Sequence, residues 1–529
     1  MQRYIYISAN KSVLNVIIAS IFALAGCEFD SKNPTQPAEE NTSLVSKPIP
    51  SDEEENVSIY DVGLNWTFKS TSNDTVNFDV YFGTDSHPPL LKPGLADTIC
   101  PLYDLRPNIT YYWKLVVNVK DDSLFASPTW SFTTTSNPVV YSWIKTIGGT
   151  GNDAAYCIRA RPDGGYIFSG MTENFGNGGS DLWLVAIDYQ GNIEWDKTFG
   201  TNNDEQIGSE FDLTNDGGYI LAGYTKIDNE NTETLVVKTD ASGIEEWSKS
   251  FERKNQKYLN NVKSCDDGGY IILENIESDN DIYNSARLIK LESNGSIEWE
   301  KIVPNDSISS ELYVMDIIDL YDDYLLLMNL SEGWANAWFM MANSRGEVTW
   351  RREIGFLFFT GLKILKTFDG NILTIGYYRT DDQHYSPRAK IIMTNILGDI
   401  NWTKYLYGTE VGNIGYGVTE TFDSEIIATG STNYDGNYSN LDLFLKKIDS
   451  EGNDLWCRTF GGDRFDEGRD VIQTVDGGYL IVGATESYGS GSYDCYIIKT
   501  DEFGNVDLSK SKLKENMICA PSSAYNYNE

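Results

Sequence analysis

The sequence predicts an all-β protein: an N-terminal β-sandwich followed by a seven-bladed β-propeller with four-stranded blades. Three observations predict this fold. Short β-branched and aromatic runs alternate with turns between 56 and 137, a DGGY motif recurs from 163 onward, and a tryptophan recurs about every 52 residues. A chain of 529 residues is also too long for one ordinary core, which favours more than one domain.

Residues 1–26 have the pattern of a secretory signal peptide. Arg3 and Lys11 precede the apolar run VLNVIIASIFALAG, which is too short for a membrane span. The run LAGC at 24–27 resembles the lipobox of bacterial lipoproteins, in which the cysteine is acylated and becomes the first residue after cleavage. The resemblance implies lipidation of Cys27 and a lipid anchor on the exported side of the bacterial cell envelope, at the outer membrane or cell surface. A plain signal peptide that ends near a cysteine is the alternative.

Residues 27–55 contain few apolar side chains and much Pro, Ser, Thr and acid, and so predict a disordered tether. Between 56 and 137 the runs VGLNWTF, VNFDVYFGT, LRPNITYYWKLVV and SPTWSFTT resemble the strands of a bacterial fibronectin type III domain. Leu105, Pro107 and Tyr111 match the tyrosine corner of that family, which implies that the Tyr111 hydroxyl bonds to nearby backbone. Such modules are more often spacers than binding sites.

From 138 to 510 one unit repeats. Its first copy has strand-like runs AAYCIRAR (a), YIFSG (b), DLWLVAID (c) and IEWDKTF (d), and a period near 50 with four strands is typical of propeller blades. Seven a–b–c sets accompany eight candidate d strands. We therefore expect residues 140–147 to complete the last unit by pairing with its strand c near 494–500, and residues 511–529 to form a C-terminal tail.

Two turn motifs recur in these units. Asp-Gly-Gly lies between strands a and b, and Asp-x-x-Gly lies between c and d, four residues before the tryptophan in the copy Asp188, Gly191 and Trp195. The second motif resembles the tryptophan-docking motif of quinoprotein dehydrogenases, at a spacing one residue shorter, which implies that the tryptophan packs on a glycine of the next blade. Units three and four have Glu274 and Met328 where most strands b have glycine. The units are most similar to uncharacterised bacterial secreted propeller repeats, a resemblance that implies no function.

Composition excludes several classes of function. The chain has 78 acidic and 41 basic residues, a net charge of −37 that repels nucleic acid. Its two histidines, His87 and His384, are far apart, the cysteines show no metal-binding spacing, and we predict neither a metal nor a cofactor. The six cysteines other than Cys27 are expected to be small apolar fillers, with at most an incidental bridge.

Three aspartates open strand c after Gly-rich loops: Asp181, Asp442 and Asp494. They suggest either a cation site or repeated capping of the loop. The loops lack the D-x-D-x-D-G run of a calcium loop, which favours capping.

The b–c and d–a loops vary between units, whereas the DGG and Asp-x-x-Gly turns at the other ends of the strands do not. The variable loops are therefore the better place for recognition. The candidate ligand-binding residues there are Trp334, Tyr378, His384, Tyr385, Tyr434, Tyr438 and Tyr488. Aromatic residues in polar loops suit a glycan or a cell-surface protein; the alternative is that they cover the propeller rim.

These features favour a membrane-anchored binding or scaffold protein that is not an enzyme, because no catalytic constellation is present in the sequence. A second hypothesis is an extracellular carbohydrate-active enzyme with paired carboxylates in the propeller funnel. A third, a quinone-dependent dehydrogenase, is suggested only by the docking-like turns.

Overall fold

A computed structural model describes residues 45–60, 62–69, 76–103, 105–119, 123–136, 138–227, 231–254, 258–277, 284–303, 311–320, 323–331, 335–355, 358–379, 387–406, 412–433, 441–507 and 517–518. Every regular element in these ranges is a β-strand, so the all-β prediction is confirmed. Within the same ranges, no helix has the length and apolar character that crossing a membrane requires.

The N-terminal nine strands form two sheets around one core. One sheet has the order β1-β3-β6, and the other has the order β2-β9-β7-β4-β5 with β8 beside β7. Trp66 and Trp113 pack in the shared core, with ring centroids 6.4 Å apart. The strands are β1 (Val45–Ile49), β2 (Glu54–Val57), β3 (Val62–Phe68), β4 (Val76–Gly83), β5 (Leu90–Leu95), β6 (Ile99–Leu102), β7 (Thr110–Val119), β8 (Ser123–Ala126) and β9 (Trp130–Thr134).

Two details of this sandwich bear on the sequence predictions. The Tyr111 hydroxyl accepts a hydrogen bond from the backbone N–H of Arg106 at 2.9 Å, which confirms the expected tie to nearby backbone. The predicted tether boundary at 55 is wrong, because β1 pairs with β3 and β2 pairs with β9. Val45 is only 1% exposed, so its burial in the sandwich core offsets the ordering entropy of this polar segment.

Residues 143–518 form seven further sheets in the described part of the chain, each with at least four antiparallel strands, and the arrangement fits a β-propeller. Units 1 to 3 contain β11 (Asp153–Ala160), β12 (Tyr166–Thr172), β13 (Asp181–Ile187) and β14 (Ile193–Phe199); β15 (Asp204–Leu213), β16 (Tyr219–Lys226), β17 (Asn231–Thr239) and β18 (Glu245–Lys254); β19 (Tyr258–Ser264), β20 (Tyr270–Glu277), β21 (Asn284–Leu291) and β22 (Ile297–Val303).

Units 4 to 7 continue the same a–b–c–d order. They contain β23 (Glu311–Asp319), β24 (Asp323–Ser331), β25 (Ala335–Asn343) and β26 (Val348–Glu353); β27 (Phe359–Lys366), β28 (Ile372–Tyr378), β29 (Arg388–Thr394) and β30 (Ile400–Tyr405); β31 (Asn413–Glu420), β32 (Ile426–Thr432), β33 (Asp442–Ile448) and β34 (Asp454–Phe460); β35 (Asp466–Gln473), β36 (Tyr479–Thr485) and β37 (Asp494–Thr500).

The two ends of the repeat region share one sheet. Strand β10 (Trp143–Ile147) takes the strand-d place of unit 7 and pairs with β37, with Trp143 opposite Lys499 and Ile147 opposite Cys495. The predicted pairing of 140–147 with 494–500 is confirmed for these residues. A first strand that completes the last sheet ties the repeat region into a unit without free ends.

The C-terminal segment is more than a tail. Strand β38 (Met517–Ile518) pairs with β34, Ile518 opposite Arg458, which corrects the prediction for 511–529 at these two residues. Neighbouring Cys457 is disulfide-bonded, and its partner lies outside the described residues. The other described cysteines are free and buried: Cys100, Cys157, Cys265 and Cys495.

Adjacent units are joined by a tryptophan that packs on a glycine of the next c–d turn. A Cβ placed on Gly191 would lie 2.5 Å from the ring of Trp143, and the indole N–H of Trp143 donates to the Tyr189 carbonyl at 3.2 Å. The same contact joins Trp195 to Gly243, Trp247 to Gly295, Trp299 to Gly346, Trp402 to Gly452 and Trp456 to Gly504. The inter-unit role expected for these tryptophans is observed in these six junctions. In the junction after Trp350, the aliphatic parts of Arg352 and Ile354 approach Gly398 instead.

The departure of unit 3 from the repeat is a compensated pair. Most strands b have glycine where strand a bulges toward them: a Cβ on Gly170 would lie 2.1 Å from the Ala154 carbonyl oxygen. Glu274 occupies this place in unit 3 and lies directly opposite Arg287, whose guanidinium contacts its carboxylate at 2.6 Å. Both charges are therefore neutralised inside the sheet.

The sandwich packs against the face of the propeller that carries the DGG turns. The Tyr60 ring lies 4.6 Å from the Tyr189 ring, and Val475 in the last a–b turn belongs to the sandwich core. Arg106 also lies 5.7 Å from the ring centroid of Phe422, in the a–b turn of unit 6. The variable loops lie at the opposite ends of the strands, away from these contacts.

We expect Gly191→Ala to destabilise the protein more than Gly217→Ala. Both glycines have a left-handed backbone, with φ of 73° and 86°, so each alanine carries a similar backbone cost of about 1 kcal/mol. A Cβ at Gly217 meets nothing within 4 Å, whereas at Gly191 it meets Trp143. Urea unfolding should show at least about 1 kcal/mol of extra loss for Gly191→Ala. Equal losses would contradict the importance of the tryptophan contact.

Candidate functional site

Most of the residues predicted from sequence lie outside the described residues. These are Cys27, Trp334, His384, Tyr385, Tyr434 and Tyr438. Tyr378 and Tyr488 are described, in units 5 and 7. The structure shows no contact between these two residues.

Tyr488 is held in place by its own unit. Its hydroxyl donates to the Gly461 carbonyl at 2.6 Å, its ring lies 5.8 Å from that of Tyr496, and burial raises the pKa of Tyr488 to about 12. It also lines a cavity of about 420 Å³ formed by 462–464 and 486–491 on the variable-loop face. Tyr488 thus offers a fixed ring edge, while its hydroxyl is already engaged.

Tyr378 belongs to an aromatic cluster around a lysine. Its ring centroid lies 5.8 Å from that of Tyr405, and the Lys390 amine lies 6.0 Å from the Tyr378 ring and 5.3 Å from the Tyr405 ring. Burial lowers the pKa of Lys390 to about 8. This packing agrees with the rim-covering alternative for Tyr378.

The aspartates that open strand c cap their loops. Asp494 Oδ2 accepts hydrogen bonds from the backbone N–H groups of Ser490 and Gly491, each at 3.0 Å, and Asp181 Oδ2 accepts one from Asn177 at 2.9 Å. The capping interpretation is confirmed for these two residues. Among the described residues, no group of three or more His, Cys, Asp or Glu side chains is arranged to hold a metal ion.

Sequence reasoning missed a polar ring at the propeller axis. Each strand a has a β-bulge or an irregular register against strand b. In six units one residue just after the bulge occupies the same place, and in unit 2 the equivalent residue directly precedes Phe211, where regular pairing resumes. We call these positions the axial ring: Cys157, Glu210, Asn261, Asp316, Lys363, Gly417 and Asp470. In six units the ring residue lies six positions before the Asp of the a–b turn, as Cys157 does before Asp163 in unit 1. This constant spacing could have identified the ring from the sequence.

Ion pairs cross the axis within this ring. Lys363 of unit 5 contacts Glu210 of unit 2 at 2.8 Å and Asp470 of unit 7 at 2.7 Å. Arg159 of unit 1 contacts the same two carboxylates at 3.3 and 3.0 Å, and Lys263 also contacts Glu210. Glu210 and Asp470 are 4% and 2% exposed, so their charges are neutralised by these cations rather than by solvent.

Two acids of the axial ring, Glu210 and Asp316, have pKa values displaced in opposite directions. Burial alone would raise the pKa of Glu210, but Lys263, Lys363 and Arg159 outweigh it and hold that pKa well below the usual range. Burial, together with the charge of Glu210, raises the pKa of Asp316 to about 7. Asp316 nevertheless accepts hydrogen bonds from the backbone N–H groups of Ile317 and Ile364, both at 2.8 Å.

A cavity of about 180 Å³ lies over the axial ring. The ring residues Glu210, Asp316 and Lys363 line it, together with Tyr156, Met315, Leu362, Tyr416 and Arg469. Four of the lining residues occupy the bulge and directly precede a ring residue: Tyr156, Met315, Leu362 and Arg469. They therefore lie toward the variable-loop end of strand a. The arrangement offers a small cavity in which a few charged groups lie among apolar side chains and two tyrosine rings.

No protein-family model matches the chain, and the search of curated proteins found no similar sequence. Solved structures with a similar fold include a periplasmic gluconolactonase of Pseudomonas aeruginosa (9% identity, TM-score 0.41, 68% of this chain and 97% of that one). A protein of unknown function from Dyadobacter fermentans has 10% identity and a TM-score of 0.37, over 67% of this chain and 97% of that one. An N11 neuraminidase-like protein of a bat influenza A virus (A/flat-faced bat/Peru/033/2010) has 12% identity and a TM-score of 0.34, over 70% and 97%. At these values the similarities assign neither an activity nor a ligand to this chain.

We expect Asp316→Asn to change how stability depends on pH. Because the pKa of Asp316 is raised from 3.8 to about 7 on folding, the native protein holds an extra proton between these values. The stability from this proton is present at low pH and is lost as pH rises through about 7. Between pH 5 and pH 8, the free energy of unfolding measured with urea should therefore fall more for the native protein than for Asp316→Asn. Asp85→Asn, at an exposed carboxylate, controls for the lost charge, and parallel curves for native protein and Asp316→Asn would contradict the assignment.

Proposed function

We propose that the protein is an exported, membrane-anchored lipoprotein whose seven-bladed propeller binds a carbohydrate or protein ligand on its variable-loop face. The observation that carries this proposal is the state of the axial carboxylates. Glu210 and Asp470 share Arg159 and Lys363, so neither is a free acid or base. A neutralised, hydrogen-bonded centre supports a ligand-binding scaffold more than a hydrolytic site.

The position of the sandwich supports the choice of face. Tyr60 and Val475 join the sandwich to the DGG side, so that side is partly covered by the chain itself. The cavity of about 420 Å³ in unit 7 lies on the other side, and the bulge residues that line the axial cavity lie toward that side of the ring positions. The sandwich is proposed to be a fibronectin type III-like spacer between the anchor and the binding module.

Export is supported by two features of the cysteines. The LAGC run at 24–27 resembles a lipobox, and Cys457 is disulfide-bonded, which is typical of proteins outside the reducing cytosol. Several acyl chains at Cys27 would make a durable anchor, since each buried CH₂ contributes about 0.8 kcal/mol. The proposed location is the exported side of the cell envelope.

We expect Cys27→Ser to leave an unacylated precursor that keeps residues 1–26. The thiol is the atom that the lipid would modify, and cleavage before residue 27 would follow that modification. Intact-mass spectrometry of membrane and soluble fractions checks both points. If the variant is cleaved and released normally, and the native protein also carries no lipid, residues 1–26 are a plain signal peptide.

The binding function is tested by a glycan array and a pull-down from cell-surface extracts with the full chain in detergent. We expect Trp334→Ala and Tyr385→Ala to weaken binding to the ligand found by at least tenfold, as is common for aromatic anchors, with an unchanged melting temperature. Ile244→Ala removes a side chain that is 60% exposed next to a c–d turn and serves as the control. Loss of binding in the control alone would place recognition on the DGG side.

A carbohydrate-active enzyme is the second candidate, and one observation favours it. Asp316 and Glu210 line the same cavity with pKa values displaced in opposite directions, as in acid and base pairs of hydrolases. Turnover of chromogenic glycosides by the native protein, lost in Asp316→Asn, would favour this candidate. Binding of a glycan without its hydrolysis would favour the binding module.

A further inference from the structure

The axial cavity has hydrogen-bonding groups that the protein does not use. Arg469 Nε donates to Glu467 Oε1 at 2.5 Å. Among the described residues, this carboxylate is the hydrogen-bond partner of the guanidinium. Other N–H groups of Arg469 therefore remain available. Glu467 is 4% exposed, and its Oε2 has no hydrogen-bond partner in the described chain. Arg469 lines the cavity and so offers it a spare donor, whereas Glu467 is not among the lining residues and serves to hold the guanidinium.

The orientation of Arg469 is fixed by aromatic rings. Its guanidinium carbon lies 4.4 Å from the ring centroid of Tyr416 and 5.9 Å from that of Tyr156. Both tyrosines line the cavity with Arg469, and Met315 and Leu362 add apolar surface. Flat and apolar walls with a few oriented polar groups suit a ring that has apolar faces and hydroxyls at its edge.

The charge and hydrogen-bonding capacity of the cavity limit the chemical class of its ligand. Arg469 is already paired with Glu467. Lys363, the other cation of the lining, is paired with Glu210 and Asp470. No cation of the lining is therefore left to neutralise a carboxylate or phosphate ligand. A hydroxyl oxygen accepts from a spare Arg469 N–H without bringing a charge into the cavity. These properties favour a neutral polyol.

The size and floor of the cavity limit how the ligand enters. About 180 Å³ is below the roughly 300 Å³ at which drug-sized sites begin, so only one ring fits. Lys363 bridges Glu210 and Asp470 across the axis and closes the path below. A chain can therefore enter only by its end.

We infer that the axial cavity binds the terminal unit of a neutral carbohydrate chain, with Arg469 donating to its hydroxyls. This inference rests on the proposed binding function and names its ligand class. The rest of the glycan would lie toward the variable loops.

The test uses the full lipidated chain in detergent and five linear probes: cellopentaose, laminaripentaose, maltopentaose, chitopentaose and the anionic hexagalacturonate. Calorimetry gives the affinities, and saturation-transfer NMR shows which sugar protons contact the protein. We expect at least one neutral probe to bind and to be saturated at its terminal residue. Arg469→Met and Tyr416→Leu should weaken this binding at least tenfold.

Two further variants separate a lost site from a lost fold. Met315→Phe leaves the Arg469 network intact and fills the cavity, and it should weaken binding at least tenfold with a native-like melting temperature. Arg458→Met is the matched control, because Arg458 lies 5.3 Å from the ring centroid of Trp456, away from the cavity; it should bind as the native protein does.

Unchanged affinity in folded Met315→Phe, saturation of internal sugar residues, or a preference for hexagalacturonate would each overturn the inference. If none of the neutral probes binds but a protein partner is captured and mapped to the variable loops, this inference fails while the proposed function stands. If neither glycans nor proteins bind, both fail.

Discussion

The packing of a tryptophan on the left-handed glycine of the next unit is the contact on which the rest of the propeller depends. A single four-stranded unit cannot bury both faces, so its stability comes largely from its neighbours. The glycines at Gly191 and Gly243 both have φ of 73°, a conformation that presents a bare peptide to the indole of Trp143 or Trp195. Because the contact recurs at nearly constant spacing, it holds successive units in one relative position, and the last unit meets β10.

Constant placement of the units brings strands a together, and their bulges turn polar residues toward the axis. Lys363 can reach Glu210 and Asp470 only because units 2, 5 and 7 converge there. Buried ion pairs are weak evidence for stability, since desolvation offsets much of their attraction, but they specify one arrangement of charges. The axial ring thereby forms a closed polar floor, and the cavity over it is shaped by the bulge residues.

Departures from the repeat are informative because they are compensated. Glu274 replaces a glycine and is matched by Arg287. Lys390 stands where four other units have an aromatic residue, and it is surrounded by rings of its own unit. The uniform turns meet the sandwich, whereas the varied loops surround the opposite opening. Variation is thus concentrated where no other part of the described chain packs, which is where a ligand could approach.

The sequence predicted features that repeat or are local. The all-β class, the four-strand period, the pairing of β10 with β37 and the Tyr111 hydrogen bond follow from spacing, turn residues and alternation, which act over short stretches of chain. The same reasoning failed for β1 and β38, which are short runs that are ordered by pairing with strands distant in sequence. Of the candidate site, it placed Tyr488 on the correct loop and put Tyr378, the last residue of β28, at the start of a loop, and it did not give the contacts that hold them.

The sequence by itself determined a repeating β-fold and its junctions, because hydrophobic period and glycine turns encode them locally. Only the tertiary structure decided the axial ring, the pKa shifts of its acids and the cavity. Arg159, Glu210, Lys363 and Asp470 are separated by about 50 to 310 positions in the chain, and six residue types occupy the seven ring positions. Charges of opposite sign from separate units meet only when the ring of strands brings them together, so no single stretch of sequence carries the site.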